Sequence, residues 1–133
     1  MPYRSSMTDH VERRRTKGQL EAEISEAMMQ FQREQMGRGP DEAKSYILGD
    51  LILVRLKNVL TPAERELLKT NEGRRLIKQM RNELLEGSRP ALEAVITRVT
   101  GYRVVSLHTD ISTRTGERLI AVTLDQNLEE QLR

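Results

Sequence analysis

His108 and Asp110 stand two residues apart in a β-rich stretch, a spacing that puts both side chains on one face of a strand, where an imidazole and a carboxylate can touch or share a ligand. Acid–base or nucleophilic catalysis built on them needs a third group, and the sequence supplies no identifiable nucleophile. His10 is the only other histidine, so a metal here would need further ligands from distant carboxylates. The pair is therefore read as structural or ligand-contacting ahead of catalytic or metal-binding. With no cysteine in the chain, thiolate zinc sites, iron–sulfur clusters, disulfide frameworks and cysteine nucleophiles are all excluded. No catalytic residue, metal ligand or cofactor is assigned.

Arginines and a lysine form the second set. Arg38 sits in the tetrapeptide Gly37, Arg38, Gly39, Pro40, which follows a helical pattern. Phosphate loops place their glycines before a helix, so that free N–H groups face the anion, and this order points to a turn instead. The guanidinium can still be presented to an anion. Arg55 and Lys57 alternate on one strand face, and Arg118 begins another strand. Together these residues are a candidate basic patch for a carboxylate, bicarbonate, phosphate or acidic partner segment, with a solvated charged rim as the alternative. Arg38, Arg55, Lys57, His108, Asp110 and Arg118 are the candidate ligand contacts.

The elements that must position them belong to a chain of 133 residues, enough for one domain with a core of its own. Charged residues make up 32% of it, mixed in sign, and the net charge of +2 is too small to argue for nucleic acid or an anionic membrane as partner. One Phe, three Tyr and no Trp leave little for base stacking. The longest strictly aliphatic run, from Leu51 to Val54, falls far short of a membrane span, and no signal-peptide stretch opens the chain. A cytoplasmic protein that is not itself transmembrane is expected.

Residues 1–16 are polar, aperiodic and end near Arg13, Arg14 and Arg15, which reads as a flexible tail before a single domain at 17–129. Leu20, Ile24, Ala27, Met28 and Phe31 then recur at helical spacing. Gly49 and Asp50 interrupt an apolar β-rich run and predict a two-residue hairpin turn. Thr61, Pro62 and Glu64 carry a capping-box signature for a short helix. After a break near 71–73, Leu76, Ile77, Met80, Leu84, Ala91, Val95, Ile96 and Val99 sustain a helical stripe to Gly101, and Pro90 predicts a kink beside Gly87. The methionines at 28, 36 and 80 are read as core filling. A second hairpin follows, with Val105 and Leu107 alternating against Ser106, His108 and Asp110, a loop at 113–116, and a return strand carrying Ile120, Val122 and Leu124 on one face.

The order helix, hairpin, helices, hairpin predicts an α+β two-layer sandwich, a four-stranded antiparallel sheet with helices on one face. The segments MGRGPDE at 36–42, LVRLKNVLTPAE at 53–64 and VVSLHTDISTRTGER at 104–118 resemble the signature segments of the MpsC-like family, in the same order and at similar spacing. The resemblance covers roughly 16–129 and implies an accessory role beside a bacterial sodium-translocating, membrane-potential-generating system linked to bicarbonate uptake. It implies a membrane-protein partner but no catalytic residue. The reading is a non-enzymatic interaction or regulatory module, with a small-anion sensor second and an enzyme using His108 and Asp110 third. If Ile47, Ile52, Val54, Ile120 and Val122 face the helices, then Tyr46, Leu48, Leu51, Leu53, Leu119 and Ala121 form an outward apolar face, which predicts a homodimer.

Overall fold

The structure, a computed structural model, describes residues 15–132. The tail expected at 1–16 falls outside these residues except for Arg15 and Thr16, and both of those are tied into the fold. Thr16 caps α1 (Lys17–Met36) through a capping box with Gln19, and Arg15 donates to the Val99 carbonyl at 3.1 Å. The helix buries Leu20, Ile24, Met28 and Phe31, as their spacing predicts, and Gln32 with them. Gly37 ends it at φ 76°, a left-handed conformation that glycine adopts without a Cβ penalty.

β1 (Glu42–Leu48) and β2 (Leu51–Lys57) pair antiparallel across the Gly49–Asp50 turn, with Leu48 opposite Leu51 and Ile47 opposite Ile52. α2 (Pro62–Leu67) opens on the predicted capping box: Thr61 Oγ1 accepts from the Glu64 N–H at 3.2 Å, and Glu64 Oε1 accepts from the Thr61 N–H at 2.8 Å. The chain breaks at 68–70, slightly before the expected point, and Thr70 caps α3 (Asn71–Thr100).

One expectation for α3, the face it buries, is corrected. Helix is continuous through Gly87 and Pro90, the place where the sequence predicts a kink. Proline leaves the Glu86 carbonyl without its ladder donor, but both residues are exposed, so water can take that bond. The buried stripe is Ile77, Arg81, Leu85, Ser88, Leu92 and Ile96, one position round from the predicted one in its first half. Leu76, Met80 and Leu84 are exposed instead, so Met80 does not fill the core. The rotation is possible because the charge of Arg81 is met inside, as described below.

β3 (Val104–Ile111) and β4 (Arg118–Leu124) form the second hairpin, and β4 pairs with β2 to give the sheet order β1-β2-β4-β3. The register shifts between Val104 and Ser106, a bulge that leaves Val105 65% exposed. Val105 and Leu107 therefore do not share a face as simple alternation predicts, because one extra residue inverts the side-chain order. Ile47, Ile52, Val54, Leu56, Ile120, Val122 and Leu124 meet the helical residues in one core cluster on the inner face of the sheet. The molecule is an antiparallel α+β sandwich in two layers. Beyond β4, a short 3-10 turn (Glu129–Gln131) closes the described chain. No helix among the described residues is long and apolar enough to cross a membrane.

Candidate functional site

At one end of the outer sheet face, β-alternation turns Arg55 and Lys57 outward, as predicted. Each meets a carboxylate there. Arg55 pairs with Glu117 from the start of the return strand, and Lys57 lies 3.9 Å from Glu42 across the β1–β2 register. Arg38 reaches the same end from the turn after α1. It donates to the Leu60 carbonyl at 2.7 Å and lies 3.5 Å from Asp41, whose other oxygen accepts from Asn58 at 2.6 Å. Three cations and three carboxylates thus share a shallow surface and largely cancel. Exposed pairs of this kind are screened by solvent, add little stability and leave little field for a free anion.

His108 and Asp110 lie opposite Ala121 and Leu119 of β4, so both stand on the outer face. Asp110 is engaged elsewhere, since it accepts from the Ile111 N–H at 2.8 Å and lies 3.2 Å from Lys78 Nζ of α3. Those two contacts, the backbone N–H foremost, hold its carboxyl below the ordinary value. It is an anchored carboxylate rather than a partner shared with His108. Among the described residues no three His, Cys, Asp or Glu side chains cluster as metal ligands would.

Arg118 does not join Arg55 and Lys57. Its register partners are Ile111 and Leu56, both on the inner face, so its guanidinium turns into the layer beneath the helices. There Nε donates to Thr109 Oγ1 at 3.1 Å and Nη1 to Gln32 Oε1 at 2.8 Å. No carboxylate among the described residues pairs with it. Burial first, and repulsion from nearby Arg81 second, lower its pKa to about 10. It stays charged at neutral pH.

Arg81 is the residue that sequence reasoning missed. Both its Nε and Nη2 donate to the Glu64 carboxylate, at 2.9 and 2.6 Å, and Nη2 also donates to the Val59 carbonyl at 3.0 Å. The two side chains are only 7% and 6% exposed. Burial alone would raise the Glu64 pKa, but the Arg81 guanidinium and the Thr61 N–H outweigh it and hold the carboxyl below its ordinary value. The signal was a charged residue at helical spacing between Ile77 and Leu85. Arg81 and Arg118, with Gln35, Ser88, Thr109 and Asp110 among their neighbours, line a small recess of about 30 Å³ between the end of α1, α3 and the β3–β4 hairpin.

Six residues make an apolar patch on this face, bordered by Lys44, Ser106, His108 and Thr123. Tyr46, Leu48 and Leu119 are exposed, and Leu51, Leu53 and Ala121 half-buried, with no element of the described chain laid over them.

A family model described as "Na+-translocating membrane potential-generating system (MpsC)" matches residues 16–126. The Bacillus subtilis (strain 168) protein described as "Uncharacterized protein YbcI" is 43% identical over 119 residues, which cover 90% of this chain and 96% of that relative. No solved structure gives a significant match.

Proposed function

The chain belongs to the MpsC family, and from that premise we propose that it is a non-enzymatic interaction module, a homodimer acting in the cytoplasm as an accessory to a membrane-potential-generating system. The observation that carries this reading is the uncovered apolar sheet face. A half-covered antiparallel sheet normally alternates to polar residues on its wet side, and Tyr46, Leu48, Leu51, Leu53, Leu119 and Ala121 break that rule. The segment after β4 does not serve as the cover, because Leu128 packs into the core and Leu132 against it.

A second copy is the occupant the face suits best. Its apolar centre is flanked by both signs of charge, with Arg55 and Lys57 beside Glu42 and Glu117, so a twofold axis can oppose unlike charges. Strands about 4.8 Å apart and about 3.3 Å per residue give this four-stranded face roughly 400 Å² per copy. That is a small interface, which predicts a weak, transient dimer. The family description supports a membrane-system partner for the assembled dimer. A catalytic role for His108 and Asp110 has less support, because Asp110 is committed to Lys78 and the Ile111 N–H.

Sedimentation velocity across micromolar concentrations tests the reading. The parent should shift toward twice its 15.3 kDa as concentration rises. Leu51→Lys with Leu53→Lys should stay folded by circular dichroism and sediment as a monomer, since two charges at the centre of a dry interface are not tolerated. A parent that remains monomeric throughout would overturn the proposal, and so would a dimer that survives the double substitution.

A further inference from the structure

The recess between α1, α3 and the second hairpin holds a charge that no described residue balances. Arg81 is neutralised by Glu64, and Asp110, which lines the same recess, is paired with Lys78 and has a side chain 74% exposed. Arg118 remains. Of the five N–H donors a guanidinium carries, it uses one for Thr109 and one for Gln32, and no carboxylate of the described residues reaches it. Arg118 is half-buried, and a cation turned into a protein layer without a counter-charge carries a desolvation cost that a bound anion offsets.

Gln32, which accepts from Arg118 without itself lining the recess, adds a second sign. It is 1% exposed, and its Nε2 is buried without any hydrogen-bond partner. Flipping the amide does not help, because the donor-only Arg118 requires the carbonyl oxygen where it stands. The neighbourhood is thus short of acceptors and short of negative charge at once.

We propose that this recess is a binding site for a small planar oxyanion of the carboxylate type, held by the open fork of Arg118 beside the Arg81–Glu64 pair. The fork geometry favours two coplanar oxygens, and a carboxylate supplies both the missing charge and several acceptor sites. Size sets the class. A water needs about 10–15 Å³ of comparable space, so a recess of about 30 Å³ takes a two-oxygen head more readily than a tetrahedral phosphate. The site opens at the β3 edge of the sheet and shares no residue with the apolar patch argued above, so either proposal stands or falls alone.

Amide-resolved NMR titrations of the full chain with sodium acetate and with sodium phosphate, each against sodium chloride at matched ionic strength, test it. Acetate should produce saturable shifts centred on the amides of Gln35, Thr109, Asp110 and Ile111, and phosphate weaker ones. Arg118→Gln should weaken the acetate response by about tenfold or more, the loss expected for a charged hydrogen bond. Should Arg118→Gln fail to fold, Arg118→Lys keeps the charge without the fork and should also bind less tightly than the parent. Shifts no different from those with chloride, or an acetate response unchanged in the folded variant, overturn the site. A phosphate response equal to that of acetate overturns the planar class.

Discussion

Glu64 carries two duties with one carboxylate, closing the α2 capping box and neutralising Arg81 beneath it. Removing its charge leaves a buried guanidinium unpaired close to a second one, so Glu64→Gln should cost about 3 kcal/mol or more in urea unfolding at neutral pH. The effect depends on pH in a fixed direction. The unfolded carboxyl titrates near its ordinary 4.5 and the folded one lower, so its stabilisation is complete above that value and is lost as pH falls through the folded pKa. The gap between parent and variant should therefore narrow on acidification below 4.5. A gap that is constant across the acid range would show that Glu64 is not the ionised partner of Arg81. Half of this pair was legible in the sequence. The capping box marked Glu64, whereas Arg81 lies seventeen residues on and was hidden by a stripe reading that preferred Leu76, Met80 and Leu84. Arg118 was legible in principle, since alternation with Ile120 and Val122 already turns it inward.

At the scale of elements, hairpin one was readable to the residue because a glycine in the turn at φ 66° fixes both register and faces. Hairpin two was not, because a bulge needs only one extra residue and Val105 gives no local sign of it. α3 offers a sharper test of how position decides a residue's role. Gly73 and Gly87 both lie within it, and helix propensity alone says that alanine at either should stabilise. Gly87 has open space where a Cβ would stand, so Gly87→Ala should gain about 0.5–1 kcal/mol. At Gly73 the added carbon would run into the Leu67 carbonyl, a backbone group that cannot turn aside. Gly73→Ala should cost more than about 2 kcal/mol, since overpacking against main chain forces the α2–α3 junction to move. Thermal unfolding of the two variants should shift in opposite directions. Equal shifts would remove the close approach of α2 to the start of α3.

Across the whole molecule, the layers and strand order follow from patterns that repeat over many residues, whereas the segment after β4 contributes through few contacts that no pattern announces. Leu128 and Leu132 look in sequence like an insufficient end piece, and for covering the outer sheet face they are. Their place is elsewhere. Leu128 is 2% exposed in the core, and Glu129 ties three distant parts together, accepting from the Gly49 N–H at 2.7 Å and from Lys17 Nζ at 2.8 Å while its own N–H donates to the Gly49 carbonyl at 3.1 Å. The first turn of α1, the β1–β2 turn and the end of the described chain are thus one joint. Leu128→Ala removes the buried anchor and leaves a cavity, which should cost about 2–5 kcal/mol, whereas the same change in a loosely attached end would cost almost nothing. Urea unfolding checks it through the midpoint. The denaturant slope should be unchanged, because the segment unfolds with the domain and adds no separate transition. A midpoint indistinguishable from the parent's would detach the segment from the core and would reopen it as a cover for the outer sheet face.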